Sequence, residues 1–301
     1  MNFSSSKSIT TSIVAPISLP NAFSTKQLKD QICLNVSLKV WGEFAIFTRP
    51  ELKVERMSYP LMTPSAARGV LDAILFKPQM RWNIQRITAI QPQFPDGISD
   101  AAKEQPYRLI AIRRNEIQDK ISSSSVGTWI KNPEKCKPYF VDSAGRESIQ
   151  GEHRTQRNTL ALHHVAYRID ANPVLTSKAN QPRKHPPDVD EEPGADTEIK
   201  YVAMFNRRVT KGQCFHRPYL GCREFACHFA PLDGTEKSLD WNQAIGLMLY
   251  DIQFGRDGQN HPGFFEAVIR NGSLHCDAMS PNAEGEPAIK IYGWNQEEAY
   301  V

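Results

Sequence analysis

From Leu34 onward apolar and polar positions alternate. Leu34, Val36, Leu38 and Val40 fall on one side of a period of two, which predicts a half-buried strand. Trp41 and Gly42 end that run, and Phe44 to Phe47 continue it after a bend. The period changes at Thr63-Pro64. Ala67, Val70, Leu71 and Ile74 recur at helical spacing, behind a capping hydroxyl and a proline at the first helical position. This helix runs to about Phe76 and stops at Lys77-Pro78. Alternation returns at Met80, Trp82 and Ile84, with Arg81, Asn83 and Gln85 outward. Leu109 to Ile112 and Val165 to Ile169 read as further strands, Thr155 to Asn158 preceding the latter. Ile199, Val202, Phe205 and Val209 then share one face of a second helix, which Gly212 closes. Phe225, Cys227 and Phe229 alternate again. A strand spans about Gly246 to Phe254, and Phe264 to Val268 leads into an Asn271-Gly272 turn. Strand, helix, strand, repeated, predicts an α+β chain with a ferredoxin-like (RRM-like) βαββαβ core.

The stretches between these elements set the organisation. Residues 1–31 are rich in Ser and Thr, and Pro16 interrupts their only apolar patch. They read as a disordered extension, neither signal peptide nor membrane span. The ferredoxin-like domain covers 32–212, with loop insertions at 91–106, 118–137 and 177–198. The second, holding Ser122 to Ser125 and several lysines, reads as a mobile basic hairpin. The third, rich in Pro, Asp and Glu, reads as disordered. A smaller β-rich part follows at 213–276, then a polar, loosely held tail at 277–301.

Net charge is +3, which permits a nucleic-acid partner without demanding one, so local clustering matters more. Lys200, Arg207 and Lys211 form one cationic stripe on the second helix, opposite its apolar face. The stripe feeds a Gly- and Pro-containing loop with His216, Arg217 and Arg223. Cationic helix and basic loop together suit a phosphate backbone; the plainer reading is a solvated surface helix. No apolar run reaches the roughly 18–20 residues that a spanning helix needs. None of the six cysteines forms a CxxC pair, which suits reduced thiols in a cytoplasmic protein. Cys214, His216, Cys222, Cys227 and His228 match no zinc-module spacing, so buried thiols and surface histidines are the reading and no metal is assigned. No Walker, HExxH or GxSxG pattern offers another enzyme.

The segments LKVWGEFAIFTR (38–49), ELKVERMSYPLMTPSAARGVLDAILFK (51–77), RRNE (113–116) and the LGCRE core (220–224) resemble CRISPR-associated protein five of the type I-C subtype. The resemblance covers most of residues 34–275. It implies a RAMP-superfamily RNA-binding protein that cuts the CRISPR precursor transcript at the repeat hairpin without a metal or other cofactor. Such a protein then stays on the 5′ handle of the guide RNA. It does so within a Cascade surveillance complex beside backbone and large subunits, meeting target DNA only through that complex. Cutting there resembles transesterification, in which a neighbouring 2′-hydroxyl attacks phosphorus. That needs a proton-transfer group and a cation for the phosphorane.

Carried over residue by residue, the resemblance places Leu75 where the family has Tyr or His, and Lys200-Tyr201 where it has Lys-His. Lys200 remains as a cation, and Tyr201 is the remaining, weak candidate for acid-base work. His163, His164 and His216 are the substitutes to consider. The expectation is therefore a guide-RNA-binding subunit that grips the 5′ handle through Lys200, Arg207, Lys211, His216, Arg217 and Arg223. Arg68, Arg113 and Arg114 are further contacts, and Arg223 with Glu224 stands equally as an internal ion pair. The alternatives are an active endoribonuclease with a displaced acid-base residue, and an RNA-independent scaffold.

Overall fold

The computed structural model describes residues 34–52, 55–92, 106–117, 121–136, 154–181, 195–254, 260–279 and 289–294. The expected N-terminal extension, most of the acidic insertion and most of the 91–106 segment lie outside them.

The first strand, β1, spans Val36–Ala45, running through Trp41 and Gly42 without a break. After the short β2 (Arg56–Met57), helix α1 spans Pro64–Ile74. Its start is as predicted: the Thr63 hydroxyl accepts from the Ala66 amide at 3.3 Å, with Pro64 at the first position. Strand β3 is Met80–Ala89 and β4 is Arg108–Ile117. Strand β5 is far longer than its apolar run suggested, Arg154–Leu175, and absorbs Thr155 to Asn158. Its first half pairs with β4 and β2; its second half pairs with β1 on one side and β3 on the other. His164 lies near the changeover, at φ 50°. Helix α3 is Glu198–Thr210, and β6 is only His228–Ala230.

The sheet order β6-β1-β5-β3 is all antiparallel. Counted as the four strands of a βαββαβ unit it reads 4-1-3-2, the ferredoxin-like arrangement. The fold is α+β. Strands β7 (Gln243–Phe254), β8 (Asn260–Arg270) and β9 (Ser273–His275) extend the same sheet beyond β3, with β9 against β3 and β7 outermost. The Asn271-Gly272 turn joins β8 to β9 with φ 50° and 75°, as a two-residue hairpin of that composition should.

Three local expectations change. The 118–137 stretch carries a helix, α2 (Ser123–Lys131), rather than a hairpin. The Ser122 hydroxyl caps it by accepting from the Ser125 amide at 3.1 Å. Asn83 faces inward, because its amide donates to Asn172 at 3.0 Å and Asp277 at 3.1 Å. Within the described part of the tail, Tyr292 exchanges backbone bonds with Phe264, and the Trp294 ring packs so closely on Gly263 that a Cβ there would lie 2.3 Å from Nε1.

Candidate nucleic-acid interface

Helix α3 presents two faces. Tyr201, Phe205 and Val209, spaced by four, are buried, and the Phe205 ring meets Trp82 edge-on at 4.8 Å. Ile199, expected in this stripe, is 47% exposed, and Tyr201 takes the inward place. The reason is polar. Asp196, itself buried, accepts the Tyr201 hydroxyl at 2.7 Å and the Asn180 amide at 3.1 Å. A tyrosine whose hydroxyl is satisfied can be buried at little cost.

On the outer face Arg207 and Lys211 are exposed, and past Gly212 (φ 63°) the loop exposes His216, Arg217 and Arg223. Among the described residues none of Arg207, Lys211, Arg217 and Arg223 has a carboxylate partner. His216 Nδ1 lies 3.5 Å from the Arg217 carbonyl. The anchors behind them are firm. Arg208, next to Arg207 but turned inward, donates from Nη1 to the Ile74 carbonyl at 2.6 Å. The Phe215 amide donates to the Ala73 carbonyl at 2.8 Å. Both satisfy carbonyls that the end of α1 leaves open. The LGCRE core is a tight turn. Leu220 and Phe225 are bonded across it, and the Ile46 amide donates to the Leu220 carbonyl at 3.0 Å. Gly221 has φ 87°, and a Cβ there would meet the Ile46 oxygen at 1.7 Å, so only glycine fits. Arg223 stands at the exposed tip, and Arg56 reaches the Cys222 sulfur at 3.6 Å.

Of the three positions matched to the catalytic set, two meet at one carboxylate and the third lies in the core. Leu75 is fully buried, and its carbonyl accepts from Trp82 Nε1 at 3.1 Å. Lys200 Nζ lies 3.6 Å from the Asp196 carboxylate, the same group that holds Tyr201. Lys200 precedes Arg208, the residue on Ile74, by eight positions, about 12 Å of helix. His163 and His164 pack ring to ring at 3.8 Å on β5, and burial followed by the His164 charge pulls His163 below its ordinary value. They stand twelve and eleven residues before Leu175, roughly 40 Å of strand from the end near Asn180 that anchors Asp196.

The remaining candidates sit elsewhere. Arg68 is bound inward, to Asp72 at 3.3 Å and Asp251 at 2.8 Å, with Arg81 on the other Asp251 oxygen at 2.7 Å. Arg113 is exposed on β4, opposite Asn158, and Arg114 takes the next register position, opposite Arg157. Neither belongs to the α1–α3 corner. Cys227 is buried, its thiol pushed up to about 12 by burial, while Cys214 is exposed; among the described residues no three His, Cys, Asp or Glu side chains gather as a metal requires. No described helix is long and apolar enough to cross a membrane. Three residues of the corner were given no surface or anchoring role by the sequence: Arg208, Phe76, which reads there only as a helix end, and Phe215. The signal for Phe215 was an aromatic set between Cys214 and the basic His216-Arg217 pair.

The family model for CRISPR-associated protein Cas5d matches residues 36–276. A protein from Mannheimia succiniciproducens, named CRISPR pre-crRNA endoribonuclease Cas5d, is 38% identical over 246 residues, 79% of this chain and 93% of that one. A Thermus thermophilus protein of the same name is 35% identical over 260 residues, 81% and 91% respectively. A solved structure described as a CRISPR-associated protein aligns with TM-score 0.48 at 18% identity, covering 85% of this chain and 96% of that one. With the matched model spanning the sheet, both helices of the corner and the LGCRE turn, the chain belongs to the Cas5d family of CRISPR-associated proteins.

Proposed function

We propose that this protein is the subunit of a type I-C Cascade complex that holds the 5′ handle of the CRISPR RNA, in the cytoplasm and beside the backbone and large subunits. The observation that carries the reading is the corner itself. Arg207, Lys211, Arg217 and Arg223 stand exposed without carboxylate partners among the described residues, on a helix and turn bonded to α1 and β1. Fixed cations of one sign on an exposed surface favour a polyanion, and each phosphate contact releases counterions. Lys200 extends the same edge, its charge shared with Asp196.

A second reading has its own support: both relatives named above carry the name of an endoribonuclease acting on the precursor transcript. Under it, Lys200 would steady the phosphorane and a group other than Leu75 or Tyr201 would move the proton. His216, exposed at the corner, is the imidazole to test.

One experiment addresses both. Repeat RNA from the protein's own locus, labelled at the 5′ end, is mixed with purified protein in EDTA, and shift and cleavage are read from one sample. Bound, intact RNA, with binding weakened by Arg207→Ala and the slope of log K against log salt shallower by about 0.7–0.9, supports the handle-holding subunit. A discrete cut leaving a cyclic phosphate supports the second reading. Absence of any shift at low salt overturns both.

A further inference from the structure

Two phenylalanines stand in water at the corner of α1 and α3. Phe215 is 83% exposed and Phe76 is 61% exposed. A single exposed apolar side chain needs no explanation. Here two occur where α1 ends, and their backbones are fixed. The Phe215 amide is bonded to Ala73, three residues before Phe76. Leu75, adjoining Phe76, is held by its amide on Leu71 and its carbonyl on Trp82. The rings are thus presented from an ordered frame, which lowers the entropy cost of using them.

Their surroundings are cationic. Arg207, Lys211 and Arg217 are exposed on the same helix and loop, and the His216 ring lies 6.0 Å from the Phe215 ring. A second protein could cover two phenylalanines, but it would also have to neutralise these charges. Unpaired nucleotides answer both needs at once: the base stacks on the ring and the phosphate meets the cation. A duplex cannot use the rings, because its bases are already stacked on each other. Building on the RNA-binding reading above, we infer that Phe215, together with Phe76, stacks against unpaired bases of the bound RNA. The strand crossing this corner is therefore single-stranded.

The test uses the full chain and two labelled RNAs from its own locus: the repeat hairpin with its single-stranded 5′ flank, and the stem alone. Phe215→Ala should weaken binding of the flanked RNA roughly tenfold, by the loss of one stacked base, with an unchanged salt slope and unchanged binding of the stem. Phe215→Trp should keep the affinity, and its emission should fall on RNA addition beyond any change in the wild type. The inference is overturned if the Phe76→Ala/Phe215→Ala double variant binds the flanked RNA as wild type does while Arg207→Ala still weakens it; the RNA-binding reading then survives alone. A double variant that binds RNA normally but no longer joins the other subunits assigns the corner to a protein contact and equally overturns it. A wild type that binds neither RNA removes both readings.

Discussion

Tyr201 occupies a position where a catalytic role was open, yet its environment is that of a core residue: 1% exposed, with its hydroxyl on Asp196. Tyr201→Phe should therefore cost about 1–2 kcal/mol of stability, as a buried carboxylate loses a donor, and leave RNA binding unchanged. A denaturant titration alongside a gel shift separates the two, and lost cleavage at full stability would contradict the structural role. Asp72 offers a second residue-scale expectation. Burial raises its carboxyl from 3.8 to about 6, and the nearby Arg68 and Arg81 only partly oppose this. Arg68 opposes the rise most, although its guanidinium lies closer to Asp251 than to Asp72, 2.8 Å against 3.3 Å, and the Asp251 charge adds to the rise. A raised acid favours folding in its protonated form. Its contribution is whole below about pH 3.8 and lost as pH rises through about 6. Asp72→Asn should thus gain on the wild type by about 1–3 kcal/mol between pH 4 and pH 7.5. Melting curves across that range would read it, and a difference independent of pH would contradict it.

Among the elements, helix α1 was legible to the residue at its start, because a hydroxyl before proline is a local signal. The inner face of α3 was legible only in part. Phe205 and Val209 follow the helical period, but Tyr201 displaces Ile199 through a carboxylate that arrives from outside the helix, and periodicity carries no such information. Helix α2 reads as a loop when its serines and lysines are weighed alone, although Val126, Trp129 and Ile130 stand at helical spacing; none of its side chains is buried against the sheet. The basic loop was legible as charge, but not as geometry: that Arg208 turns inward while Arg207 faces out depends on where α1 ends. The LGCRE turn gives the sharpest expectation at this scale. Gly221→Ala combines a 1.7 Å clash with backbone oxygen and a positive φ, so it should cost more than about 3 kcal/mol. Equilibrium unfolding would measure it; a loss under about 1 kcal/mol would mean that the turn can move off β1.

At the scale of the whole molecule, β5 is the strand on which β1, β2, β3 and β4 all pair. Asp170, in its second half, accepts from Ser37 on β1 at 2.5 Å, from Arg86 on β3 at 2.9 Å and from Arg168 at 2.8 Å. Burial alone would raise this carboxyl, but the three donors outweigh it and hold it below its ordinary value. A lowered acid stabilises above its unfolded value near 3.8, and the benefit is lost as pH falls through the folded value. Asp170→Asn should therefore cost about 1–3 kcal/mol at pH 7, a figure reduced because both arginines are partly exposed. The deficit should shrink below about pH 4, which acid-titrated unfolding would follow. No local pattern announced this hub, since the apolar run of β5 covers less than a quarter of a strand that extends over 22 residues.

That same strand sets an order of assembly. β1 and β3 lie on opposite sides of β5, and β2 and β4 pair with it as well. No pair among those four earlier strands shares a ladder. During synthesis, the apolar faces of β1, α1 and β3 must wait until about residue 175 has left the ribosome before the central sheet can close. Long-range pairings of this kind fold slowly, and the waiting segments are exposed to aggregation. A nascent chain halted just before β5 would have these segments but no shared sheet to hold them.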